Sequence, residues 1–470
     1  MKIMRLCIIT ASLLLTLQAT ALEVQWMSST DQSRWKQRND ITITEFKQDE
    51  VNDVIITRYK EQQMQGFGGC FGELGWDALQ VLDAPTRQHV LNQLFSLTDG
   101  AALRFCRTPI GANDFARDYY SLDDHPGDFK LRHFSVDRDR TSLIPYIQAA
   151  LAINPDLRLW ACPWTPPTWM KTNGHYATKA GNNNGYTGPD MTHGQDQFIL
   201  KKKYLQTYAS YFSRYLSAYK QEGINIEMIM FQNEPYTINI WPNCSWSPQG
   251  TALFLGKYLG PKLKKEHPSV KMWYGTMNTN NLDEVLQVVN DKRAGKYVNG
   301  IGVQWEGKDI VAPLRRQFPT MPMMCTENEC GNGSNDWAAA EHTFDMVKSY
   351  LDNGVNAYMY FNMVLQDRGT SSWGWDQNSL VNIDSRTRTA TFTPEYYLIK
   401  HLSLFVKPDA YKLKTMGNDE SMLAFRNADG STVIFVANKR HHDREMTIAF
   451  QGKVLHVRLQ PKSFNTFILS

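Results

Sequence analysis

What is scarce in this chain narrows its chemistry first. Neither sign of charge predominates, since 50 Lys and Arg meet 47 Asp and Glu for a formal charge of +3. There is no basic tract either, so the electrostatic case for a nucleic-acid partner is missing. No cysteine spacing resembles a CxxC pair or a His/Cys metal cluster, and His175, His193, His441 and His442 are scattered through expected loops; no metal is assigned. A GxSxG elbow is absent, which sets aside a Ser/His/Asp hydrolase. Gly66-Phe67-Gly68-Gly69 fails the GxGxxG pattern and no P-loop Lys follows, so its glycines read as a tight turn at a first strand. Internal repeats, low-complexity segments and Pro/Ser-rich linkers are also lacking.

Long apolar runs are nearly absent too. The one near the start, Leu6–Leu17, follows Lys2 and Arg5 and precedes Ala19-Thr20-Ala21. That order predicts a secretory signal over residues 1–21. The run is short for a membrane anchor, which needs ~20 residues, and no later stretch suffices, so no span is expected in the mature chain. Export to the periplasm, cell surface or medium follows. No cysteine directly follows the cleavage site, so a lipid anchor is not indicated. Without Cys7, six cysteines remain: Cys70, Cys106, Cys162, Cys244, Cys325 and Cys330. An even number permits disulfides in an exported protein. Four of them lie in apolar strand-like runs, where mostly buried thiols are expected.

Two carboxylates stand out among what is present. Phe231-Gln232-Asn233-Glu234-Pro235 and Cys325-Thr326-Glu327-Asn328-Glu329-Cys330 each put a glutamate at the end of a short apolar run. Eight such strand-like runs can be counted: Gly66–Phe71, Ala102–Thr108, Arg158–Pro163, Ile226–Gln232, Val270–Met277, Gly300–Trp305, Met321–Thr326 and Ala357–Met363. Most precede a helical pattern, for example Tyr204–Tyr219 and Trp337–Leu351. Eight βα units predict an α/β fold, a (β/α)8 TIM barrel, with Glu234 after the fourth strand and Glu327 after the seventh.

The ends differ. Asp40–Tyr59 holds alternating strand-like runs, and beyond His401 come Met422–Arg426, Thr432–Ala437, Met446–Phe450, Val454–Leu459 and Asn465–Leu469. Short alternating strands with Gly and Asn turns predict an antiparallel β-sandwich. The expected organisation is a signal over 1–21, sandwich strands in 22–64, a catalytic barrel over 65–400 and further sandwich strands in 401–470. Residues at the carboxyl ends of barrel strands converge on one mouth. Two glutamates there suit a retaining glycosidase, in which one protonates the leaving oxygen and the other attacks the anomeric carbon. That reaction needs no cofactor. Aromatics make up 12% of the chain, with 13 Trp, which suits sugar stacking but equally a large core.

The motifs Gly66-Phe67-Gly68-Gly69, Arg107-Thr108-Pro109-Ile110-Gly111, Pro163-Trp164-Thr165-Pro166-Pro167-Thr168-Trp169-Met170-Lys171, Gln232-Asn233-Glu234-Pro235 and Thr326-Glu327 occur in this order. In them the chain resembles glycoside hydrolase family 30, over nearly all of its mature length. The family comprises retaining (β/α)8 barrels with a side β-domain, among them glucosylceramidases, β-glucosidases, endo-β-1,6-glucanases and xylanases. The resemblance implies that Glu234 is the acid/base and that the glutamate of the strand-seven Thr-Glu pair is the nucleophile. Glu327 and Glu329 are two apart, on one side of a strand. Glu327 directly follows Thr326 and is preferred, while Glu329 lies beside Cys330, as the nucleophile lies near a cysteine among glucosylceramidases. With Glu327 as nucleophile, Glu329 becomes a binding or supporting carboxylate.

The resemblance also implies that Asp114, Trp164 and Asn233 contact the sugar nearest the scissile bond, and that Arg107 pairs with the nucleophile. Glu306 reads as a binding or pKa-tuning neighbour, and Trp305 and Trp373 as sugar platforms or core. Gln304-Trp305-Glu306-Gly307 and Thr326-Glu327-Asn328-Glu329-Cys330-Gly331 look closer to the endo-β-1,6-glucanases than to the glucosylceramidases. The stretch Lys179–Gly194 and Trp373-Gly374-Trp375 could shape a glucan cleft. The expected partner is therefore a β-glucan polysaccharide or oligosaccharide. Glucosylceramidase or exo-β-glucosidase activity is the alternative within enzymes, and a glucan-binding barrel the alternative outside them.

Overall fold

In the computed structural model, which describes residues 22–181, 183–417, 419 and 421–470, eight parallel strands close into a barrel. The signal expected over 1–21 lies outside the described residues. The barrel strands run Gly66–Cys70, Phe105–Pro109, Arg158–Cys162, Met228–Met230, Lys271–Met277, Ile301–Gln304, Met323–Glu327 and Ala357–Asn362. The eighth returns to the first, Ala357 opposite Gly66. All eight expected strands are present, with ends shifted by a few residues.

The barrel interior explains the residue types. Phe105, Trp160, Met228, Met230, Trp273, Met324 and Met359 fill it, all buried. Small residues on neighbouring strands make room for them. A Cβ on Gly302 would lie 2.6 Å from both Met230 Cε and Thr326 Cγ2. Large flexible side chains interlocking with glycine give the packed, pore-free centre that eight strands require. Outside, helices such as Lys202–Gln221 and Trp337–Asp352 cover the strands; the second begins at Asp336, whose carboxylate accepts the Ala339 N–H at 2.9 Å.

The second unit is a β-sandwich assembled from both ends of the chain. Val24–Thr30 pairs antiparallel with Ser463–Leu469, and Val54–Gln63 sits between Tyr411–Gly417 and Arg444–Phe450. Trp26, Val54, Ile56, Ile434, Ile448, Leu455 and Phe467 form its separate core. Val24–Thr30, Lys36–Arg38 and Tyr411–Gly417 are strands that the alternation pattern misses. So are Val364–Gln366, Val381–Asp384 and Thr389–Phe392, a small sheet between the eighth barrel strand and the last helix, Pro394–Ser403. Val24–Thr30 is buried at five consecutive positions, so it carries no period of two. Cys70, Cys106, Cys162, Cys244, Cys325 and Cys330 are all buried free thiols.

Candidate active site

Glu234, Glu327, Arg107, Asn233 and Asp114 all come to the carboxyl-end mouth of the barrel and are almost fully buried. Glu234 follows the fourth strand with φ +48°, the left-handed region that a non-glycine residue rarely adopts. Its N–H is held by the Thr276 carbonyl at 2.8 Å. Such a backbone costs about 1–3 kcal/mol and persists where surroundings impose it, often at functional sites. Its carboxyl accepts Asn239 Nδ2 (2.8 Å) and Thr237 Oγ1 (3.1 Å) on Oε2, and Asn278 Nδ2 (3.3 Å) on Oε1. All three donors are neutral. Burial raises its pKa against their pull.

Glu327 ends the seventh strand in a different environment. Arg107 Nη1 lies 2.7 Å from its Oε2, and Gln304 Nε2 donates to the same oxygen at 3.2 Å. Among the described residues nothing donates to Oε1. Burial pushes Glu327 up to about 7, opposed first by Arg107 and aided by Glu234. Asp114 is the third carboxyl; burial lifts it well above the usual range, followed by the charges of Glu327 and Glu234. Arg107 is wholly buried and, among the described residues, is the one cation these three groups meet. Burial pulls its own pKa down, but its neighbours, Cys162 and Glu327 first among them, raise it on balance, so it stays charged. Glu234 and Glu327 titrate as a unit, and the guanidinium, which touches Glu327 and not Glu234, favours the ionised form of Glu327. One carboxylate held as the anion beside another kept as the acid is the division that a glycosidase site requires.

Arg107 sends its other arm, Nη2, to Asn233 Oδ1 at 2.6 Å. Gln304 Nε2 (2.8 Å) and Thr276 Oγ1 (2.9 Å) donate to that same oxygen. Three donors on Oδ1 fix which end of the amide is which, and leave Asn233 Nδ2 to donate elsewhere. The Arg107 guanidinium also lies 4.0 Å from the Trp164 ring centroid. Trp164 Nε1 and Asp114 Oδ1 are neighbours, both buried and without a well-formed hydrogen bond. That suits a ligand hydroxyl able to donate to one and accept from the other.

The remaining expected residues are placed differently. Glu329 does not share a strand face with Glu327, because the strand ends at Glu327. Its carboxylate turns to His342 Nε2 at 2.8 Å, with the two side chains 45% and 53% exposed. Glu329 thus lies off the strand that carries Glu327 and bonds His342. Glu306 is exposed and acts through its backbone, whose N–H donates to Asn278 Oδ1 at 2.9 Å and so aims Asn278 at Glu234. Trp305 is half-buried. Trp373 is buried against Tyr119, ring centroids 5.0 Å apart. Gln304, Thr276, Asn278, Thr237 and Asn239 were not foreseen as site residues. Thr276-Met277-Asn278, a polar pair at the end of an apolar strand, carries the signal that marks Glu234. Among the described residues no group of three or more His, Cys, Asp or Glu is arranged to hold a metal ion.

Comparison with known proteins bears on the family and the fold. A glycosyl hydrolase family 30 TIM-barrel domain matches residues 64–406, and a glycosyl hydrolase family 30 beta sandwich domain matches residues 410–467. The chain is 28% identical over 413 residues to lysosomal acid glucosylceramidase of Mus musculus, covering 83% of this chain and 77% of that one. It is 26% identical over 428 residues to endo-1,6-beta-D-glucanase neg1 of Aspergillus fumigatus, covering 87% and 85%. Among solved structures, SrfJ from Salmonella typhimurium shares the fold with a TM-score of 0.84 at 23% identity, covering 95% of this chain and 99% of that one.

Proposed function

The chain belongs to glycosyl hydrolase family 30 and is a retaining β-glycosidase, and from that premise we propose that it is an endo-β-1,6-glucanase. In the first step Glu327 Oε1 attacks the anomeric carbon. The bond to the leaving oxygen breaks as Glu234 gives that oxygen its proton. In the second step the Glu234 carboxylate takes a proton from water, whose oxygen displaces Glu327 from the sugar. Arg107 keeps the nucleophile ionised before attack and stabilises the negative charge that returns to Glu327 when the carboxylate leaves. Asn233 Nδ2 donates to the 2-hydroxyl, and Asp114 and Trp164 hold the far hydroxyls of the same ring.

The observation that carries the choice of substrate is the distribution of exposed apolar side chains. Among the described residues the large exposed ones are Ile43, Phe46, Val51, Ile55, Tyr59 and Met416, all on the sandwich. None of these aliphatic or aromatic side chains lies at the barrel mouth, where a lipid aglycone needs a broad apolar surface. The partly exposed side chains there include the indoles Trp241, Trp305 and Trp375. Relatedness to an endo-1,6-beta-D-glucanase over 87% of this chain supports the same reading. Glucosylceramide remains the second candidate because of the 28% identity to a glucosylceramidase. Product analysis on linear β-1,6-glucan, with glucosylceramide in parallel, tests the choice. Short β-1,6 oligosaccharides uphold it, and glucose from the lipid alone overturns it.

Export belongs to the same reading. It rests on Lys2, Arg5, the run Leu6–Leu17 and Ala19-Thr20-Ala21. A mature terminus at Leu22 in the native host supports it, whereas a protein retaining Met1 in the cytoplasm overturns it.

A further inference from the structure

We infer that Trp241 and Trp375 form a platform for the sugar of the leaving group, so that the enzyme takes a carbohydrate on both sides of the bond it cuts. The inference rests on the glycosidase reading above and narrows its substrate. Trp241 sits in the loop after the fourth barrel strand, the loop that brings Thr237 and Asn239 to Glu234 Oε2. The leaving group lies on the side of the acid that protonates it, and Trp241 is two residues beyond Asn239. Trp375 comes from the loop after the eighth strand and meets Trp241 with ring centroids 4.7 Å apart and planes tilted by 52°.

Both rings are partly exposed, unlike Trp160, Trp164 and Trp246, which are fully buried. They continue an aromatic wall from the inner pocket. Trp164 stacks near Phe361 (6.1 Å), Phe361 meets Phe115 edge-on (5.9 Å), and Phe115 meets Trp375 edge-on (6.5 Å). Phe115 directly follows Asp114, which places the start of this wall at the inner sugar and its end at the mouth. The two loops are braced. Tyr119 donates its hydroxyl to the Ile240 carbonyl (3.1 Å), and Asn184 Nδ2 donates to the same oxygen (3.0 Å). Ser371 and Trp375 close their own turn, N–H to carbonyl, at 2.8 Å.

A pyranose presents an apolar C–H face to an indole and a belt of hydroxyls to its surroundings. Here the partly exposed Thr237 and Asn239, in the same loop as Trp241, supply polar side chains beside Glu234.

The test compares β-linked glucotrioses with β-glucosyl fluoride, whose one-atom leaving group cannot reach the platform. For Trp241→Ala and Trp375→Ala, the ratio of kcat/KM on β-1,6-glucotriose to that on the fluoride should fall about 10-fold or more, chiefly through KM. Trp241→Phe and Trp375→Phe should recover most of that ratio. An unchanged ratio, including an equal loss on both substrates, overturns the platform. So does a wild-type enzyme that cleaves glucosylceramide and no oligosaccharide. Preference for a β-1,3 or β-1,4 trisaccharide, with the same fall in the variants, sinks the linkage proposed above and upholds the platform.

Discussion

Arg107 Nη1 and Glu327 Oε2 lie 2.7 Å apart, with the two side chains 0% and 7% exposed. A buried pair is weak evidence for stability, because desolvation offsets the attraction. Its value here is selective: the contact decides which buried carboxyl carries the negative charge. Removing one partner of such a pair leaves the other charge uncompensated.

Arg107→Met should therefore raise Glu327 further. Activity needs Glu327 ionised, so it is lost on the acid side as pH falls and the nucleophile gains a proton. Raising Glu327 moves that acid limb to higher pH and lowers kcat/KM at neutral pH by about 100-fold or more. Arg107→Lys keeps a charge but cannot reach both Glu327 and Asn233, so it should recover only part of the rate. Profiles of kcat/KM against pH check both variants, and an acid limb that stays in place contradicts the pairing.

Glu234→Gln keeps shape and removes the proton to be given. Hydrolysis of the glucan should fall about 10³-fold, within the range of general acid catalysis. Formation of the glycosyl-enzyme from a 2,4-dinitrophenyl glucoside, which needs no proton, should change far less. Azide should restore turnover by attacking the intermediate without a general base. Equal losses on glucan and activated glucoside would falsify the acid role.

Asn239 and Asn278 donate to the carboxyl of Glu234 and favour its ionised form. Replacing either by Ala raises the pKa of Glu234. The base limb of the pH profile, where Glu234 loses the proton it must give, then moves to higher pH. Glu306→Ala should leave that limb in place, because Glu306 holds Asn278 through its backbone N–H. The three profiles, measured side by side, separate these roles.

Much of this was legible in the sequence, for physical reasons. The eight strands are short apolar runs, and both glutamates sit where such a run stops. That pattern survives in one dimension because each strand is buried on both faces. Gln304, Thr276 and Asn278 were harder to see. They are ordinary polar residues whose importance comes from pointing at Asn233 and Glu234 across neighbouring strands, a relation with no sequence spacing. Glu329 is placed by the opposite relation. Two residues on, it would share a face with Glu327 only if the strand continued, and the chain turns away instead. Val24–Thr30 escaped because a strand buried at five consecutive positions shows no alternation.

The barrel itself offers a test away from the chemistry. A Cβ on Gly68 would lie 1.7 Å from the Phe105 carbonyl oxygen and 2.5 Å from its carbon. These are backbone atoms of the adjacent strand and cannot move aside without breaking the pairing. Gly68→Ala should cost about 3 kcal/mol or more and yield little soluble protein. A variant melting within a few degrees of wild type would show that the two strands are less closely apposed.

Glu329 and Glu327 provide the sharpest contrast within one loop. Glu327→Gln should abolish turnover, because an amide neither attacks the anomeric carbon nor balances Arg107. Glu329→Gln removes only an exposed contact to His342, of a kind typically worth ~0–1 kcal/mol. Its kcat/KM should stay within about twofold of wild type across the pH range. Labelling with a 2-deoxy-2-fluoroglucosyl fluoride followed by peptide mapping adds an independent readout. The sugar should be found on Glu327 in both wild type and Glu329→Gln. A label on Glu329 would mean that the chain past the seventh strand turns back into the mouth during catalysis, and would reassign the nucleophile.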